Sequence, residues 1–219
     1  MAPPTARLCG ALVEHLALDG ATVARVAADG EQDLLHATGA TAQDLDELGF
    51  SLAEGPGLEA SATRRPVLVG DLSSAGARAR WPVFAPAAVD AGVQAVFAFP
   101  LLAGSWCLGV LQLYRRAAGD LSGPDARQVA GTAEAMTRVA LTELVEPPAR
   151  GAGSWPGDMT GPHARVHQAS GMVAVLLATQ LPDAMARLRA AAFARQVSLV
   201  DLAADVLAGR VRLSGDGPS

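Results

Sequence analysis

The sequence predicts an α+β fold followed by an all-α module. Three observations carry this. Over residues 1–145 the order is helix, two strands, helices, strand, helix, two strands and a long helix, which suits an antiparallel sheet flanked by helices. Two pairs of strand-like runs meet at glycine turns, Asp29-Gly30-Glu31 and Gly104. A Pro/Gly-rich stretch without periodicity, "EPPARGAGSWPGDMTGP" (146–162), then reads as a linker containing Trp155, and the pattern after it is helical only.

Each element has a local reason. "LCGALVEHLA" (8–17) has helical spacing. "ATVARVAAD" (21–29) and "QDLLHATG" (32–39) form a hairpin across the Asp-Gly turn. "TAQDLDEL" (41–48) reads as a short helix with Thr41 as N-cap and Asp44 three residues on. "RPVLVGDL" (65–72) is a strand, and "WPVFAPAAVDAG" (81–92) holds a short helix that closes at Gly92. "VQAVFAFPLLA" (93–103) and "SWCLGVLQLYRR" (105–116) are strands around Gly104. The long helix 122–145 opens on Ser122 or Gly123, with Pro124 in its first turn and Asp125 at the positive end of its dipole.

In the last segment, residues 163–213, the helix "VHQASGMVAVLLATQ" (166–180) carries a core stripe of Val166, Ala169, Val173, Leu176 and Leu177. Beside it lies a second stripe of His167, Gly171, Ala174 and Ala178. Apart from His167 these residues are small, and they permit close approach by another helix or by a nucleic-acid chain. A second helix starts at Gln180 or Leu181 with Pro182 in its first turn, and its core stripe is Leu181, Met185, Leu188 and Ala192. A third starts with Ser198 as N-cap and Asp201 at N3, buries Leu199, Leu202, Ala203, Val206 and Leu207, and ends at Gly209. Residues 214–219 read as a tail.

Composition excludes several chemistries. All 17 basic residues are Arg. Without Lys, a Walker A loop or a Schiff base has no amine to use. Cys9 and Cys107 form neither a CxxC nor a zinc spacing and read as reduced, buried thiols. His163 and His167 stand four apart, but no Glu of an HExxH accompanies them, so they read as surface residues. "EGPG" (54–57) is followed by no GxGxxG or GK[ST] and reads as a turn. No nucleophile–base or paired-carboxylate motif appears, so no enzyme activity is expected. No run approaches the ~20 apolar residues of a membrane span, and Glu14 and His15 interrupt the only apolar stretch near the N-terminus, so a cytoplasmic location is expected.

Charge divides the chain. Residues 1–150 hold 11 Arg against 17 acidic residues, a net −6, whereas residues 160–213 hold six Arg against three Asp, a net +3. A basic segment on an acidic protein points to a polyanionic partner, although a solvated helical surface has the same composition.

Two resemblances sharpen these expectations. "LAEGPGLEA" (52–60), "RPVLVGDL", "RWPVF" (80–84), "AGVQAVFAFPLLAGSWCLGVLQLYRR" (91–116) and "LSGPDARQVA" (121–130) resemble a GAF domain over about 5–145. The resemblance implies a sensor or dimerisation domain that binds a small molecule or pairs with a second copy. The cyclic-nucleotide signature of such domains needs a Lys. A bilin site needs a linking Cys, usually beside a His, and Cys107 has none nearby. Haem would have to use His15 or His36. No haem, bilin, cyclic-nucleotide or metal signature is found, and the ligand is unknown.

Within 163–213, Gln-Ala-x-Gly-Met-Val, then Ala-x-x-x-Leu-Arg-x-x-Ala, then Leu-x-x-Leu-Ala resembles an ANTAR domain, the three-helix RNA-binding module of transcription antiterminators. The resemblance implies that a dimer holds paired hairpins of a nascent leader RNA and keeps the terminator from forming. Arg neutralises phosphate and stacks on splayed bases, so the expected RNA-binding residues are Arg165, His167, Gln168, Arg187, Arg189 and Arg195. Phe193 is the only aromatic of this segment and could equally be core. The alternative is a ligand-binding or dimerising signalling module whose helical tail binds protein or DNA. DNA suits the third helix poorly, because it is expected to expose Val200, Asp201, Ala204, Asp205 and Ala208.

Overall fold

A computed structural model describes residues 2–27, 30, 32–145 and 163–213. The 146–162 linker with Trp155, the 214–219 tail and two of the three hairpin-turn residues, Asp29 and Glu31, lie outside the described residues. The chain divides into two compact units, Met1–Asp158 and Met159–Ser219.

The first unit is built on a five-stranded antiparallel sheet in the order β2-β1-β5-β4-β3, formed by β1 (Gly20–Val26), β2 (Gln32–Ala37), β3 (Val67–Val69), β4 (Ala95–Ala103) and β5 (Trp106–Arg115). The β4–β5 hairpin turns at Gly104, whose φ of 61° is left-handed and therefore favours Gly. Alternation in the strands sends side chains to two cores, which explains the nearly continuous apolar runs. Phe97, Phe99, Leu111 and Leu113 meet Leu12 of α1 (Pro4–His15) and Met136 of α6 (Gly123–Val145) on one face. Val96, Ala98, Val110 and Tyr114 share the other face with Leu45 of α2 (Ala40–Leu52), Ala60 of α3 (Pro56–Thr63), Ala77 of α4 (Ala75–Arg80) and Phe84 of α5 (Phe84–Asp90).

Several details depart from the sequence expectations. Gly39, not Thr41, is the residue that precedes α2, and no side chain caps that helix. The strand expected over 65–72 pairs only over Val67–Val69, because Arg64, Arg65 and Pro66 run exposed ahead of it. Helices α3 and α4 fall where no element was expected. The Ser122 cap is present: its Oγ accepts from the Asp125 N–H at 3.2 Å.

The second unit contains α7 (Ala164–Leu176), α8 (Leu181–Arg195) and α9 (Leu199–Leu207), all three in mutual contact. Its core is Val166, Ala169 and Val173 of α7, Ala184, Met185, Leu188 and Ala192 of α8, and Leu199, Leu202, Ala203 and Val206 of α9. Ser198 caps α9 by accepting from the Asp201 N–H at 3.0 Å, and Gly209 follows it at φ 71°. Helix α7 stops earlier than its pattern predicts. Leu177 is its C-cap and Ala178 turns left-handed at φ 48°, so Leu176 is 70% exposed rather than core. Leu181, in the first turn of α8, is 54% exposed for a similar reason: it lies before the packed turns of its helix.

Candidate nucleic-acid interface

The expected contact residues sit on α7 and α8. On α7, Arg165 and Gln168 are exposed and three apart, so they share one side of the helix. His167 is half-buried on the opposite flank, with Gly171 and Ala174. On α8, Arg187 and Arg189 are both half-buried, and residues two apart point to different sides of a helix. Arg195 is exposed in the last turn, where its guanidinium reaches the Ala191 carbonyl at 3.5 Å. The six residues therefore do not form one strip; they are divided among at least two sides of each helix. Of the remaining arginines, Arg210 is tied to Asp205 at 2.7 Å and Arg212 is exposed.

His163 is placed differently from expectation, and Phe193 and Gly171, which the sequence left open, each take one of their alternatives. His163 is 2% exposed, and its carbonyl accepts from the Val166 and His167 amides, so it anchors the start of α7 rather than lying on the surface. Phe193 is 74% exposed and not core. Gly171 is not a helix-packing contact: a Cβ built there meets no atom within 4 Å. The wheel pattern could not separate these outcomes, because burial at a helix end depends on where the helix stops.

In the first unit the conspicuous motif is architectural. The Glu54 carboxylate accepts from the backbone N–H groups of Val83 and Phe84, both at 3.1 Å, and so caps α5 from outside it. Gly55, at φ 127°, lies under the Phe84 ring, where a Cβ would come within 3.0 Å. Pro56 then opens α3. Farther along, Glu59 of α3 pairs with Arg80, whose guanidinium also lies 4.7 Å from the Trp81 ring. "EGPG" and "RWPVF" are thus two halves of one corner: Glu54 and Gly55 turn the chain, whereas Pro56 and Gly57, expected in the same turn, already belong to α3.

Sequence reasoning missed a polar cluster on the inner sheet face. Thr22 and Gln112 are buried and opposite each other on β1 and β5. Gln32 donates to the Gly57 carbonyl at 3.2 Å and to Ser61 Oγ at 3.0 Å. Polar residues inside apolar strands are the signal that could have marked it.

The thiols and histidines offer little chemistry. Burial pushes the Cys9 thiol up to about 12. The Cys107 thiol is raised by burial and donates to the Gly109 carbonyl at 3.2 Å. Burial holds His36 below the ordinary imidazole value, and His15 is exposed on α1. Among the described residues no three His, Cys, Asp or Glu side chains cluster to hold a metal, and no single helix is long and apolar enough to cross a membrane.

No family model and no curated protein matches the sequence. Solved structures match in fold. The GAF domain region of a Geobacter sulfurreducens protein aligns at 16% identity over 63% of this chain and 91% of its own, with a TM-score of 0.51. The GAF domain of an Acinetobacter phosphoenolpyruvate-protein phosphotransferase aligns at 12% identity over 63% and 80%, with a TM-score of 0.50. The corresponding Coxiella burnetii domain gives 14% identity, 64% and 81%, and 0.50. The first unit therefore has a GAF fold, a class of domain defined by this helix-covered antiparallel sheet.

Proposed function

We propose that the chain is an RNA-binding transcription antitermination regulator rather than an enzyme. The GAF-fold unit serves as the input, and the three-helix unit, an ANTAR-type module, binds paired hairpins of a leader RNA as a homodimer. The observation that carries this is the second unit itself: a separate three-helix body, net +3 over residues 160–213, on an otherwise acidic chain, with Arg165, Gln168 and Arg195 exposed. Phosphate neutralisation by these arginines supplies affinity, and the resemblance of all three helices to the antiterminator pattern supplies the partner. The GAF fold supports the sensing role by class, since such folds host small-molecule input.

A gel shift with a dual-hairpin RNA, using duplex DNA as competitor, tests it. RNA complexes that resist DNA and weaken when Arg165→Ala and Arg195→Ala are combined are expected. Absence of RNA binding with and without dimer would reject the proposal. One observation favours a second reading, a helical tail that binds protein: Val175 and Leu176 are 82% and 70% exposed, next to the exposed Leu181 at the α7–α8 corner. Capture of a protein partner that survives loss of all RNA binding would select it.

A further inference from the structure

Within the RNA-binding function proposed above, on which this step rests, we infer that Phe193 is a stacking platform for one unpaired RNA base. The ring is 74% exposed and is the only aromatic side chain among residues 163–213. Apolar burial places Ala184, Met185, Leu188 and Ala192 on the inner side of α8. At ~100° per residue Phe193 points well away from that side, in the same direction as Arg189 one turn before it. Ala186 and Ala190 lie along one side of the pair. On that side the neighbouring side chains are short, and with the ring 74% exposed a planar partner can lie across it.

The backbone beneath the ring is fixed. Gln196 takes a left-handed cap at φ 54°, and its N–H bonds to the Phe193 carbonyl at 3.1 Å, while the Val197 N–H bonds to the Ala192 carbonyl at 3.2 Å. The exposed Gln196 stands three residues beyond Phe193. Ring, guanidinium and amide are the three groups that single-stranded RNA recognition uses: a π-face for stacking, a cation for phosphate and an amide for base edges. The net +3 of residues 160–213 matches a polyanion and opposes a basic occupant.

The test measures RNA affinity of the full chain by fluorescence anisotropy, with dual-hairpin RNA carrying unpaired loop bases, across a salt series. Phe193→Ala is expected to weaken binding roughly 5- to 150-fold, the range of one lost base stack, with the salt slope unchanged. Phe193→Trp is expected to keep affinity, and Phe193→Leu to lose it although it keeps apolar bulk. Arg189→Ala should lower the salt slope by about one, and Arg187→Ala, on the other side of α8, should cost less. If the wild type binds no RNA, the RNA-binding function itself is overturned. If the wild type binds and Phe193→Ala or Phe193→Leu binds equally, the stacking role alone is overturned. A Phe193→Ala chain that sediments as a smaller species would make Phe193 a protein contact and overturn it as well.

Discussion

Replacing Glu54 with Ala should destabilise the GAF-fold unit by about 1–2 kcal/mol, and the structure says where that energy comes from. The carboxylate caps α5 through two backbone donors that no intrahelical carbonyl can reach. One of them belongs to Val83, which is exposed, so water replaces the lost bond at little cost. The other belongs to Phe84, which is fully buried, and an unsatisfied donor there costs about 1–3 kcal/mol. The net figure matches the usual loss of a helix cap. For a unit of this size it corresponds to a fall in melting temperature of roughly 2–8 °C. Calorimetry of the full chain reads it as a shift of the first unit's transition, the chain having two units and no single two-state melt. Glu54→Gln keeps an acceptor oxygen and should recover at least part of the loss. Equal melting of Glu54→Ala and wild type would refute the capping role.

Other outcomes follow from the same geometry. Gly171→Ala should stabilise the second unit by about 0.5–1 kcal/mol, because its Cβ meets open space and Ala is the better helix former; a destabilised melt would show a packing contact there. Gly55→Ala should destabilise, since φ 127° and the Phe84 ring both oppose a side chain, and an unchanged melting temperature would contradict that. Cys9 sets an alkaline limit. The unfolded thiol ionises near 9.0 and the folded one at about 12, so the unfolded chain binds fewer protons between them. The stability this thiol contributes is complete below pH 9 and is lost as pH rises to 12. Urea titrations across that window should show a shallower loss in Cys9→Ala, and identical slopes would count against it.

The strong local signals in the sequence survive in the structure. Ser122 and Ser198 cap their helices as their positions imply. The β4–β5 hairpin was legible because both strands are long, apolar and joined by a glycine that turns left-handed. Short elements were not legible: α3 and α4 have eight and six residues, too few for a period to emerge, and tertiary contacts at Glu54 and Arg80 hold this corner. The end of α7 was misplaced because Ala178 takes a left-handed turn that Ala does not advertise. That one shift exposes Leu176 and changes what the helical wheel means. At the candidate interface the residue types were readable, but not their division among helix sides. Phe193 was ambiguous until its exposure was known, since an aromatic at helical spacing is as often core as surface.

In the proposed function the second unit binds RNA through its arginines. A titration of paired-hairpin RNA against the full chain between about 50 and 200 mM salt tests it most directly. With about four arginines on phosphate, the slope of log affinity against log salt should be roughly −3, a loss of about 60-fold over that range. Duplex DNA should bind more weakly throughout. A flat salt dependence, or duplex DNA bound as tightly as the hairpins, would contradict it.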